Sequence, residues 1–205
     1  MITYRQATLH DVDDIAKVEA ASWPSSLAAS REAIAERVSV FSDGQWIALL
    51  DDRIVGAASA QRISPAQLES QPLTYQNVTD NGSFRASHIP DGTIYQLVGV
   101  GVAPQGQGLG CGRQLVDRQI DFARKLGGIS RIIGFTRPVR LHRFPQLSIE
   151  DYIERRSESG RVADPVLSFH LDSGARLVST HADFRPNDSE ARGYGILIEY
   201  PVNPA

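Results

Sequence analysis

The chain has little that could brace it covalently: 205 residues contain one cysteine, Cys111. A lone thiol forms no internal disulfide, so burial of apolar side chains must hold the fold. No apolar run approaches the roughly 20 residues that span a bilayer, which excludes an integral membrane helix. The opening segment lacks a secretory apolar core, because Arg5, Asp11, Asp13, Asp14, Lys17 and Glu19 interrupt it. Together with the free thiol this points to a cytoplasmic setting. Excess positive charge is also missing. A net charge of −3 leaves no broad surface for nucleic-acid phosphates, so no nucleic-acid partner is expected. His10, His88, His142 and His181 show no metal-ligand spacing, and no metal is assigned. Internal repeats and low-complexity linkers are absent too.

What remains is a chain with 41% apolar and 22% charged residues, long enough to bury one substantial core, read as a single domain over 1–205. Ile2 to Ala7 predicts a strand. Val12, Ile15 and Ala16, with Val18 nearby, predict a helix, and Ile34 and Val38 a second one after Pro24. Gln45 to Leu50 and Arg53 to Ala60 predict a hairpin across Asp51-Asp52. The stretch from Ser64 to Asp91, rich in Ser, Gln, Asn, Pro and Gly, reads as a long loop placed to cover a site. Thr93 to Val102 predicts a strong strand. Leu109, Leu115, Val116, Ile120, Ala123 and Leu126 mark an amphipathic helix ending at Gly127-Gly128. Arg131 to Thr136 is the next strand, Ile149 to Arg155 and Pro165 to Asp172 are short helices, and Arg176 to His181 and Gly193 to Tyr200 are two final strands.

The most informative segment lies between the strong strand and the long helix: Gln105-Gly106-Gln107-Gly108-Leu109-Gly110. Glycines let the backbone approach a ligand closely, and the unpaired amides at a helix start attract an anion. The spacing of Gln105, Gly108 and Gly110 resembles the pyrophosphate loop of the GNAT acyltransferase superfamily, and Val100 to Pro104 resembles that family's fourth strand and its exit. The order of elements is similar over nearly the whole chain. The resemblance implies an α/β (α+β) GNAT fold, with a central mixed, mainly antiparallel sheet flanked by helices. It also implies coenzyme A or phosphopantetheine as thioester carrier, held by Val100, Val102 and Gln105 to Gly110.

Many GNAT acetyltransferases carry a tyrosine on the late helix, four residues before a Gly-aromatic pair. Here His170 stands in that position, and Ala175 follows Gly174 where the aromatic would be. The wider pattern resembles the GNAT-like decarboxylases that begin polyketide assembly lines, curacin type. Trp23-Pro24, Gln96-Leu97-Val98, Gly134 to Arg137, Asp164 to His170, Phe184 to Asp188 and Gly193 to Tyr200 carry that likeness. It implies a decarboxylation site at Thr136 and His170, a chamber wall at Trp23, and a basic residue near the carrier-protein entrance at Arg185. An acyl carrier protein and a malonyl-type thioester are the implied partners.

The residue types suit the chemistry. Losing carbon dioxide from a malonyl thioester leaves an enolate, and a hydroxyl and an imidazole can both donate hydrogen bonds to its oxygen. Each residue also has a plainer reading. His170 alone is a packed histidine, Thr136 a β-branched strand residue, Trp23 a core anchor, Arg185 a solvated cation in a turn, and Cys111 a small residue beside the glycine loop. Two other functions share the loop: an acetyl-coenzyme A dependent N- or S-acyltransferase, and a noncatalytic module that binds pantetheine or its carrier protein.

Overall fold

The structure, a computed structural model, describes residues 1–203. Seven strands, β1 (Ile2–Gln6), β2 (Gln45–Leu50), β3 (Arg53–Ile63), β4 (Ile94–Val102), β5 (Arg131–Thr136), β6 (Arg176–His181) and β7 (Gly195–Tyr200), form one sheet. Their order is β1-β2-β3-β4-β5-β7-β6. Every neighbouring pair is antiparallel except β4 with β5, which is parallel. The expected mixed, mainly antiparallel sheet is therefore present. The helices are α1 (Val12–Ser22), α2 (Arg31–Val40), α3 (Pro65–Glu69), α4 (Tyr75–Thr79), α5 (Cys111–Lys125), α6 (Ile149–Ile153) and α7 (Pro165–Asp172).

Alternation along the strands sends side chains to two cores. Ile47 and Ala57 meet Val12, Ile15, Ile34 and Val38 from α1 and α2. Their neighbours Ala48 and Ala58 meet Cys111 and Leu115 of α5. Each fully buried Val, Ile or Leu side chain contributes about 1.5–3 kcal/mol. The β2–β3 hairpin closes through Asp51 and Asp52, with φ of 48° and 64°. Two left-handed residues match the twist of the flanking strands.

Two expectations need correction. The segment 64–91 is not one irregular loop: Ser64 and Thr74 cap α3 and α4 through bonds from the backbone N–H of Gln67 and Asn77. Five-residue helices are too short to show a 3.6-residue period, so their composition reads as loop. Leu109 belongs to the turn, not to the apolar face of α5. It is 51% exposed, and the helix begins after Gly110.

The feature that makes room for a site is a split in the sheet. β4 and β5 pair only from Ile94 to Leu97 against Arg131 to Gly134. On the other side of β4, Gly99 pairs with Ser59 and Leu97 with Ala60, which leaves Val98 as an extra residue. A bulge of this kind bends its strand, and it sits where the two strands part. Among the described residues no helix is long and apolar enough to cross a membrane.

Candidate active site

The glycine turn closes the C-terminal end of β4. Gly106 is packed so closely that an added Cβ would lie 2.9 Å from Val102 and 3.1 Å from Val55. Gly108 and Gly110 have φ of 75° and 78°, a region that costs other L-residues about 1–2 kcal/mol. Gly110 caps α5 without a side-chain hydrogen bond, and the first turn of the helix carries no acidic residue. The start of this 15-residue helix thus presents free amides and the positive end of its dipole. Gln107 donates its amide N–H to the carbonyl of Val102 at 3.1 Å, tying the turn to the strand. The turn suits a pyrophosphate, and the unpaired edge of β4 can pair with an extended pantetheine arm.

A cavity of about 270 Å³ fills the split between β4 and β5. Val100 and Val102 line it from β4, Thr136 from β5, Phe169 and His170 from α7, and Trp23 from the end of α1. Trp23 lies beside Gly99 and Gly101, where Cβ atoms would come within 3.7 and 3.3 Å of the indole. These glycines let the ring lie close against the strand. Trp23, Thr136 and His170, distant in sequence, share this cavity.

Thr136 is 3% exposed, and its Oγ1 is buried with no hydrogen-bond partner among the described residues. An unpaired buried hydroxyl is uncommon in a native fold. In the wall of a cavity, it is free to donate to a ligand.

His170 is held by α7 and by β7. Its Nδ1 lies 2.7 Å from the hydroxyl of Tyr200, and Nε2 has no protein partner among the described hydrogen bonds. Burial lowers the His170 pKa to about 4 and pushes the Tyr200 phenol up. Both groups are therefore neutral at pH 7. In the tautomer with the imidazole proton on Nε2, Nδ1 accepts the O–H of Tyr200. α7 itself is fastened by Asp164, whose carboxylate accepts the N–H groups of Val166 and Leu167, each at 3.0 Å, and the hydroxyl of Tyr152 at 2.6 Å.

Arg185 is half-buried and lines the recesses beside Trp23. It donates to the carbonyl of Leu27 at 2.5 Å and lies 4.0 Å from the centre of the Tyr75 ring and 5.9 Å from that of Trp23. Arg137, at the end of β5, is paired with Asp188 through two 2.6 Å bonds and with Glu190 at 2.9 Å. Cys111 is buried in a cluster with Ala48, Val55 and Leu115. Among the described residues no group of three or more His, Cys, Asp or Glu is placed to hold a metal.

Tyr200, which meets His170, is not among the site residues that the sequence predicts. Tyr200 reads as one more buried strand aromatic, because nothing in its local pattern reports a partner thirty positions away. The cap at Asp164-Pro165 was open to detection, since an acidic N-cap followed by proline at the first helical position is a helix-start signal.

Comparison with known proteins agrees with this fold. The model of the acetyltransferase (GNAT) family matches residues 9–144. The loading GNATL domain of CurA from Lyngbya majuscula is 28% identical, with 98% of each chain covered and a TM-score of 0.85. The GphF GNAT-like decarboxylase, solved with isobutyryl-CoA, is 32% identical with a TM-score of 0.83, covering 98% of this chain and 100% of that one. A probable hydrolase, YhcX of Bacillus subtilis (strain 168), is 28% identical over 191 residues, 93% of this chain. The chain spans 36% of that relative's length.

Proposed function

The chain belongs to the GNAT acetyltransferase family, and from this premise we propose that it decarboxylates a malonyl or methylmalonyl thioester carried on an acyl carrier protein or coenzyme A. The product is an acetyl or propionyl starter for polyketide assembly. One observation carries the reading: the unpaired Thr136 hydroxyl shares an apolar cavity with His170, at the position where family acetyltransferases hold a tyrosine. The likeness to a loading domain and to a GNAT-like decarboxylase supports it.

Gln105 to Gly110 and the start of α5 hold the pyrophosphate or phosphate, and Val100 and Val102 flank the pantetheine arm. The thioester oxygen then accepts from Thr136 Oγ1–H and His170 Nε2–H. As the bond to the carboxylate carbon breaks, its electron pair moves into an enolate, and carbon dioxide leaves. Each donor aimed at the growing charge is worth about 2.7–4 kcal/mol. Neutral His170 serves as a hydrogen-bond donor, because a pKa of about 4 leaves almost no imidazolium at pH 7. The proton that completes the acyl group comes from water.

To test this, the protein is incubated with malonyl-loaded carrier protein and, separately, malonyl-CoA, and the intact mass of each is followed. Loss of carbon dioxide in place is expected. Persistent malonyl loading by a folded protein on both carriers would count against the assignment. The second reading, acetyl transfer to an amine or a carrier thiol, draws on the family model and the glycine turn. It predicts movement of an acetyl group to an acceptor, which the same mass measurement detects. Tight thioester binding without any turnover would indicate the noncatalytic module.

A further inference from the structure

Beside the main cavity lies a smaller recess lined by Gln96, Tyr75, Phe184, Arg185, Tyr194 and Asp188. The two spaces share Trp23, Leu97, Thr136 and Arg137 as walls. We infer that this recess is the subsite for the free carboxylate of the substrate, with Arg185 and Gln96 as its donors. The inference deepens the decarboxylase reading and rests on it.

Three observations support the assignment. Arg185 has five N–H donors, of which the protein uses one, on Leu27, and no carboxylate lies within ion-pair distance of it among the described residues. Burial lowers its pKa, as expected for a cation short of a counter-ion. Arg137, on the other wall, is already neutralised by Asp188 and Glu190, and Glu19, which faces Arg185 from α1, instead accepts the backbone N–H of Ala29 at 3.0 Å. Arg185 is thus the cation of the recess with donors to offer.

Gln96 is 2% exposed, and its orientation follows from a chain of buried bonds. Gln61 must turn its nitrogen to the carbonyl of Val78 at 2.7 Å, while its oxygen accepts from Ser87 at 2.7 Å. The second N–H of Gln61 goes to the oxygen of Gln96 at 2.8 Å. The Gln96 NH2 group is thereby left without a protein partner, in the wall of the recess.

Size and position select a carboxylate over a phosphate. The recess has room of about 40 Å³, enough for roughly three water-sized groups, which is one carbon with two oxygens. Gln96 also lies six residues upstream of Val102, about 20 Å along the strand from the glycine turn. Phosphate and carboxylate are then bound at opposite ends of one path, with the thioester beside Thr136 between them.

The test uses two unreactive probes, the amide analogues of malonyl-CoA and acetyl-CoA in which nitrogen replaces the thioester sulfur. The wild-type protein should bind the malonyl probe at least tenfold more tightly than the acetyl probe. Arg185→Gln should weaken the malonyl probe by on the order of 10- to 100-fold, and Gln96→Leu by a few-fold, with the acetyl probe unchanged. Arg185→Lys should restore part of the preference. Equal weakening of both probes, or no malonyl preference in the wild type, would overturn the subsite. A malonyl preference that both variants abolish, in a protein that releases no carbon dioxide, would sustain the subsite and reject the decarboxylation reading instead.

Discussion

At the scale of single residues, the role proposed for Thr136 comes at the expense of stability. A hydroxyl 3% exposed and without a partner carries a desolvation cost that a methyl group of the same shape does not. Thr136→Val should therefore leave the fold as stable, or stabilise it by up to about 1 kcal/mol, raising the Tm by about 2–4 °C. The same change should slow carbon dioxide release by about 10²–10³, with thioester affinity preserved. Thermal melting and the mass assay check the two halves. A clear loss of stability would mean the hydroxyl has a protein partner in solution. The plain sequence reading of Thr136, a β-branched strand residue, is correct about its backbone. Local periodicity does not report that the side chain faces a cavity; only the resemblance carried by Gly134 to Arg137 points to a site there.

At the scale of elements, the site depends on a helix that cannot stand alone. α7 has eight residues, well below the length at which a helix is stable in water. It is held by Asp164, which is 2% exposed and also accepts the N–H of Arg140 at 3.2 Å. Asp164→Ala removes the cap and strands the buried hydroxyl of Tyr152, so a loss of about 2–4 kcal/mol is expected in denaturant unfolding. Because His170 rides on this helix, turnover should fall further than substrate affinity does. Asp164→Asn keeps one capping oxygen and should retain much of both. Long elements were legible in advance: α1, α5 and β4 follow their periodicity closely. Short ones were not, as α3 and α4 show, because one turn of helix repeats no pattern.

At the scale of the whole molecule, buried neutral histidines couple stability to pH. Burial lowers the pKa of His170 to about 4, and lowers those of His88 and His181 as well, with Arg62 adding to the effect at His88. An unfolded histidine titrates near 6.5. Between about pH 6.5 and 4 the unfolded chain binds protons that folded His170 refuses, so stability should be level above that window and fall as the pH drops through it. Unfolding free energies measured from pH 7.5 to 4, for the wild type and for His170→Gln, check this. The variant should show a shallower decline. An identical slope would show that His170 is exposed or already charged in the folded protein.

By itself the sequence determined the class of fold and the glycine turn. Both depend on local rules: periodicity selects helix or strand, and glycine spacing supplies the left-handed turn at Gly108 and Gly110. The tertiary structure decided where a cavity opens beside that turn. The bulge at Val98 and the end of pairing after Leu97 open the sheet, and only that opening sets Trp23, Thr136 and His170 around one cavity. Tyr200 reaches His170, and Gln96 receives its orientation from Gln61, through contacts between residues 30 and 35 positions apart. Such contacts depend on how strands pair and helices pack, and no local pattern of side chains encodes them.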